Sequence, residues 1–231
     1  MRFLQIIMCL ISIACNTATH AVDIGSMTEV IEPNDRLITK SIINNADSPK
    51  VYQLSVIKID NPKKNNAVLD GRRAEVLFTP RQFTLHPQEE KIVKLFYNGP
   101  SDNSERYFRV TISEKPAPRQ QEFFNERKIA SIDINLNVDI ILVVRPKIMF
   151  FNYDFSASDS TIQNTGNTFF KVIVKKGCEQ DDSDADSTYL LPGETYKNVK
   201  LKEFENDKVI LFGHKYERIS SKCLHQKSLA M

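Results

Sequence analysis

Two arginines, Arg106 and Arg109, flank Tyr107 and Phe108 in the segment Glu105-Arg106-Tyr107-Phe108-Arg109. A guanidinium is a planar fork of donors suited to holding a carboxylate through two parallel bonds. Read as a strand, the segment puts Phe108, Val110 and Ile112 on one face, and Arg106 shares it. A charge on an inward face needs a partner. That partner is either the carboxylate of a ligand at the rim of a cleft or a local acid such as Glu105 or Glu114. The second candidate is apolar: Ile132, Ile134, Leu136, Val138 and Ile140 alternate with Ser131, Asp133, Asn135, Asn137 and Asp139. Periodicity alone reads this as an ordinary sandwich strand. At a sheet edge it would instead pair with another chain, with backbone hydrogen bonds for affinity and alternate side chains for pockets.

Catalytic chemistry has little to work with. The chain contains no G-x-S-x-G, H-E-x-x-H or glycine-rich phosphate loop. Beyond residue 21 the histidines are His86, His214 and His225, too scattered to suggest a metal site, and His86 precedes Pro87 in a turn. Glu179, Asp181, Asp182, Asp184 and Asp186 make an acidic stretch that could be a calcium loop, but it lacks the glycine and terminal glutamate of an EF-hand. It reads as a solvated turn. No enzyme activity, metal or cofactor is expected.

The N-terminus sets the compartment. Arg2 is followed by an apolar run from Phe3 to Ala14, interrupted by Gln5 and Ser12, and then by Thr19-His20-Ala21. That run is shorter than the ~20 residues needed to cross a bilayer. It fits a signal peptide, residues 1–21, cleaved after Ala21. A lipid anchor at Cys15 is the competing route, but Ser12-Ile13-Ala14 lacks the usual leucine. The mature chain is expected to be exported and soluble. Its remaining cysteines, Cys178 and Cys223, form a disulfide by compartment and count. A net charge of +2 argues against a dedicated nucleic-acid surface.

The candidate residues sit in a succession of short apolar segments. Leu37–Ile43, Val51–Ile59, Glu75–Thr79, Phe83–Leu85, Lys91–Phe96 and Arg106–Ile112 read as strands, with turn residues such as Asn44-Asn45-Ala46-Asp47-Ser48-Pro49 between them. Residues 114–129 break the rhythm as a long charged connection bearing Pro116 and Pro118. Ile141-Leu142-Val143-Val144 then ends at Arg145-Pro146, where the pattern restarts. Downstream, Lys147–Tyr153, a hairpin around Asn164–Val174, and Lys208–Phe212 are expected strands. The spacing predicts an all-β fold of two domains, residues 22–146 and 147–231, after the signal peptide.

Several stretches together resemble the periplasmic chaperones of the chaperone–usher pathway, especially the alternate branch of common-pilus and colonisation-factor fimbriae. They are Val22-Asp23-Ile24-Gly25, Leu77-Phe78-Thr79-Pro80, Phe96-Tyr97-Asn98-Gly99-Pro100-Ser101-Asp102, Glu105-Arg106-Tyr107-Phe108-Arg109, Ile140–Val144, Asn164-Thr165-Gly166-Asn167 and Leu191-Pro192-Gly193. The resemblance implies two immunoglobulin-like β-sandwich domains in a boomerang arrangement, working in the periplasm. It implies that Ala130, Ile132, Ile134, Leu136 and Val138 form a donor strand lent to an incomplete fimbrial (pilin) subunit, which is later passed to an outer-membrane usher. A second copy of the chain could cover a donor strand that holds no subunit. The better-known branch anchors the subunit's terminal carboxylate with two basic residues; here those positions fall near Thr28 and Ile141, which are not basic. Arg106 and Arg109 are the candidate anchors in their place. Arg145 matches the family's hinge arginine and, with Glu114, would fix the interdomain angle. The residues alone also leave open a secreted immunoglobulin-like adhesion or scaffold module without a dedicated subunit.

Overall fold

A computed structural model describes residues 22–64, 74–118, 135–178, 185–213, 215–219 and 223. The first sandwich is built from β1 (Thr28–Ile31), β2 (Leu37–Ile43), β3 (Lys50–Ile59), β4 (Val76–Thr79), β5 (Gln82–Leu85), β6 (Glu90–Tyr97), β7 (Arg106–Pro116) and β8 (Leu136–Val144). One sheet runs β1-β8-β7-β3-β5 and the facing sheet β2-β6-β4. Strict alternation explains why these segments are strands with one wet face. In β6, Val93, Leu95 and Tyr97 are buried while Ile92, Lys94 and Phe96 are exposed. In β7, Phe108, Val110 and Ile112 point inward, where they meet Ile140, Leu142 and Val144 of β8 in the core.

The second sandwich comprises β9 (Tyr153–Ser156), β10 (Thr161–Asn164), β11 (Phe170–Lys175), β12 (Asp186–Leu190), β13 (Thr195–Lys197), β14 (Asp207–Phe212) and β15 (Lys215–Ile219). Its sheets are β13-β10-β9 and β12-β11-β14-β15, closed on Ile162, Phe170, Val172, Leu190 and Ile210. A disulfide joins Cys178, just after β11, to Cys223, with Cα atoms 5.4 Å apart.

Three local expectations are corrected. The expected connection at 114–129 begins later, because β7 runs through Pro116 and Glu114 still pairs with Leu136. Lys147–Tyr153 is not a strand; β9 starts only at Tyr153. The segment Asn164–Val174 is no hairpin, since β10 and β11 lie in opposite sheets. The Asn164 amide explains this crossing: it donates to the Thr168 and Leu190 carbonyls at 2.9 Å each, tying the turn to the facing sheet. Gly166 is required there, because a Cβ would collide with the Phe150 carbonyl oxygen.

Candidate functional site

β8 has two different edges. Along its full length it pairs with β7, from Arg106↔Val144 to Glu114↔Leu136. Its other edge is covered by β1 only from Thr28↔Ile141 to Ile31↔Val144. From Leu136 to Ile140 no described strand lies against that edge. The backbone there is oriented by its neighbours: the Ile141 and Arg145 amides donate to the Met27 and Ile31 carbonyls at 2.9 and 3.0 Å. Backbone direction alternates along a strand, so the peptide groups of Asn137 and Asp139 also face the open side.

The side chains change along the same stretch. Leu136 is 37% exposed, Val138 packs partly against the core, and Ile140 is 1% exposed. All three share the inward face with Leu142 and Val144, so the apolar stripe of the domain runs off the end of its own core. The other face is polar. There Asp139 accepts from the Thr111 hydroxyl at 2.7 Å and lies 3.6 Å from the Arg109 guanidinium. Ala130, Ile132 and Ile134, named with Leu136 and Val138 as donor residues, lie outside the described residues.

The outer face of β7 and β8 forms one wall of a cavity of about 450 Å³ between the sandwiches. Tyr107, Ile141, Val143 and Phe169 line it, together with Thr28 and Lys63. Thr28 and Ile141 are thus register partners at this cleft. Among the described residues Lys63 is the only cation in the lining, and its ammonium is 2.5 Å from Glu194 of the second sandwich.

Arg106 and Arg109 are not brought together. Arg106 forms a fork with Asp102 at 2.7 and 2.6 Å and lies 3.7 Å from Glu75, away from the cleft. The hydrogen bonds from Arg106 hold the Asp102 carboxyl down at a pKa of about 2. Its local partners are therefore Asp102 and Glu75, not Glu105 or Glu114. Arg109 pairs across the strands with Ile141 and donates to the Lys64 carbonyl at 3.1 Å.

Arg145 lies at the junction, but Glu114 does not. Glu114 is at the far end of β7, eight residues beyond Arg106 and on the order of 27 Å away along the strand. It is buried there, accepting from the Tyr52 hydroxyl at 3.1 Å with Lys50 at 3.8 Å. The acid facing Arg145 is Glu105, 3.5 Å away, with side chains 4% and 1% exposed respectively. Glu105 also accepts from the Thr168 hydroxyl at 2.5 Å and the Phe169 amide at 3.1 Å. Arg145 donates to Thr168 Oγ1 and to the Phe169 carbonyl, and stacks over the Phe169 ring at 4.2 Å. Nothing in the sequence spacing separates Glu105 from Glu114 as partners, because strand length decides which one reaches the junction.

The chain is similar to known proteins in sequence and in fold. Residues 22–149 match the family described as pili and flagellar-assembly chaperone, PapD N-terminal domain. Among curated relatives, the "Probable fimbrial chaperone EcpE" of Escherichia coli strain K12 is 32% identical over 205 residues, covering 89% of this chain and 86% of the relative. Two solved structures share the fold at 15% identity each. The SafB chaperone of Salmonella enterica, in complex with the SafA pilin, has a TM-score of 0.58 and covers 88% of this chain and 98% of its own. The periplasmic chaperone SfaE has a TM-score of 0.56, covering 86% and 98%.

Proposed function

The chain belongs to the family of pili and flagellar-assembly chaperones, and on that premise we propose that it holds fimbrial subunits by lending them the bare edge of β8. The observation that carries this reading is the edge from Leu136 to Ile140, where no described strand covers the backbone and apolar side chains leave the core. A subunit strand laid along it gains hydrogen bonds from Asn137 and Asp139, while Leu136 and Val138 enter its unfinished core. By alternation Ile134, Ile132 and Ala130 extend the same face. Burying each large aliphatic side chain is worth roughly 1.5–3 kcal/mol. Several together can hold an otherwise exposed subunit without a nucleotide or other cofactor.

The chaperones of this family are periplasmic. For this chain the finer reading is export by residues 1–21 with cleavage after Ala21, followed by delivery of the held subunit to an outer-membrane usher. Arg109 is the better supported of the two arginine candidates for the subunit's carboxylate, because its cross-strand neighbour Ile141 lines the cleft. Arg145, with Glu105, is the junction element that sets the two sandwiches relative to one another.

The test is co-expression with a candidate pilin in the periplasm. A one-to-one complex that co-purifies, and that is lost in Leu136→Asp, supports the reading. Normal capture by a folded Leu136→Asp chain would sink it.

A further inference from the structure

β1 leaves the edge of β8 abruptly, and one buried lysine sits at the point of departure. The last bond to β8 is from the Ile141 amide to the Met27 carbonyl, 2.9 Å. A few residues upstream the chain is already on the opposite sheet, where Asp23 and Ile43 exchange bonds of 3.3 and 3.1 Å and Ile24 is buried. The crossing between them is tightly specified. Asp23 Oδ1 accepts from the Gly25 amide at 2.9 Å, and Gly25 has φ of 62°, a conformation suited to glycine. The Ser26 hydroxyl donates to the Thr28 carbonyl at 2.7 Å. Lys40, on β2 and 7% exposed, donates to the Ser26 carbonyl at 2.6 Å and to Glu29 at 2.5 Å. The proposed capture of a subunit makes no use of Lys40.

The register shows what this crossing prevents. Thr28 faces Ile141 in a parallel pair. Continued in step, Met27 would lie beside Ile140, Ser26 beside Asp139 and Gly25 beside Val138. The side chains suit one another: Met27 would join the apolar face, Ser26 the polar face, and Gly25 brings no side chain against Val138. Mismatches arise only beyond it, at Ile24, which would leave the core for the polar face beside Asn137, and at Asp23, which would fall on the apolar face beside Leu136. A short continuation is therefore chemically allowed, and it would cover the edge from Val138 to Ile140. A buried ion pair is a weak source of stability, because desolvation offsets its attraction, and its best-attested use is to fix a register.

We infer that Lys40 is a positioning residue, which lets β1 begin only at Thr28 and so keeps the edge of β8 open for a subunit. This rests on the reading of β8 as the donor. Most edge strands are protected by something that covers or blunts them; here the neighbouring strand is pulled away.

The test uses the full chain with Lys40→Met, read by residue-resolved hydrogen exchange and by capture of a co-expressed pilin. The amide of Asp139, which no described strand covers in the wild type, should become about tenfold more protected as a backbone bond forms. Capture should fall by about the same factor and return in Lys40→Arg. Cysteines placed at Ser26 and Asp139 should cross-link in the Lys40→Met background and not in the wild-type one. Unchanged exchange at Asp139 in the folded variant overturns the inference. So does a uniform rise in exchange with loss of capture, which assigns Lys40 to stability alone. Protection at Asp139 with undiminished capture would leave Lys40 in its role and overturn β8 as the donor. If Lys40→Met does not fold, Lys40→Gln, which removes the charge that bridges Ser26 and Glu29 but keeps a polar end, is judged by the same two readouts.

Discussion

The Glu105 carboxylate lies 3.5 Å from the Arg145 guanidinium at one end of the first sandwich, where both also bond to Thr168 and Phe169 of the second. Both groups are buried, and burial pushes the Glu105 carboxyl up and the Arg145 guanidinium down, each against the pull of its partner. Desolvation therefore offsets much of the pair's attraction, and the pair is a weak source of net stability. Removing one member leaves the other charged and without its ion-pair partner, which typically costs about 3–5 kcal/mol. Arg145→Met should lower the melting temperature markedly. Glu105→Gln combined with Arg145→Met should recover much of the loss, because no isolated charge remains. A double-mutant cycle by thermal denaturation checks this; two additive losses would show that the pair is not coupled.

The same burial gives a pH dependence whose sign is set by Glu105. Its folded pKa is raised above the ordinary 4.5, so the folded chain holds this proton to higher pH than the unfolded chain. Its contribution to stability is fully present below 4.5 and is lost as pH rises through the raised value. The melting temperature of the wild type should therefore fall relative to that of Glu105→Gln as pH rises from the acid side through this window. A wild-type melting temperature that rises relative to that of Glu105→Gln over the same window would reverse the assignment.

On β8, Leu136 and Val138 should separate capture from folding. Leu136 is 37% exposed and pairs with Glu114 at the end of β7, so Leu136→Asp should leave the melting temperature nearly unchanged. The lost burial, roughly 1.5–3 kcal/mol, corresponds to about 10- to 150-fold weaker capture. Val138→Asp should weaken capture and also lower stability, because Val138 packs against the chain's own core. Isothermal titration with a purified pilin, set beside thermal melts, reads both quantities. Equal loss of stability in the two variants would show that Leu136 belongs to the core rather than to the partner.

How far this was legible in the sequence depended on whether neighbours or distance decided the matter. Alternation in Lys91–Phe96 and in Leu136–Ile140 gave the strands and the residues that share each face, though not which face is inward, because pleating alone sets that period. It could not say that β1 begins only at Thr28, since sheet edges are made by segments far apart in sequence. The expectation that Glu114 partners Arg145 fails for the same reason: position along a long strand is invisible in spacing. Arg106 and Arg109 looked like one site because they are close in sequence, yet an odd separation sends them to opposite faces of β7. Lys40 left a readable signal, falling on the same alternate positions as Ile38 and Ile42 in β2, where an inward lysine must have a partner.

Arg106 and Arg109 should part company when replaced. Arg106→Ala removes the fork on Asp102 and the contact with Glu75, so its effect should fall on the loop carrying Asp102. The Asp102 carboxyl, freed of those bonds, should titrate well above its present pKa of about 2. Capture should be little changed. Arg109→Ala removes the guanidinium beside Asp139 and Ile141 and should weaken capture by about tenfold, as for a lost hydrogen bond to a charged group. Carboxylate titration by NMR and pilin titration by calorimetry give the two readouts. Full capture by Arg109→Ala would remove it as an anchor.

The Cys178–Cys223 bond belongs to the second sandwich alone, and its removal should be felt there. It joins residues 45 apart, tying the segment beyond β15 to the end of β11. Closing a loop of that length restricts the unfolded chain by about 4 kcal/mol in the chain-entropy model. Cys178→Ser with Cys223→Ser should therefore lower the melting temperature of the second sandwich, whose core is Ile162, Phe170, Val172 and Ile210. The edge of β8 is built by β7 and β1 and is independent of that bond, so capture should persist below the lowered transition. The junction limits this independence, because Thr168 and Phe169 hold Glu105 and Arg145 from the second sandwich. Above the transition, both charges should lose their partners and the first sandwich should soften as well. Calorimetry of the double variant, with capture measured on either side of its first transition, checks the order; loss of capture while the second sandwich is still folded would contradict it.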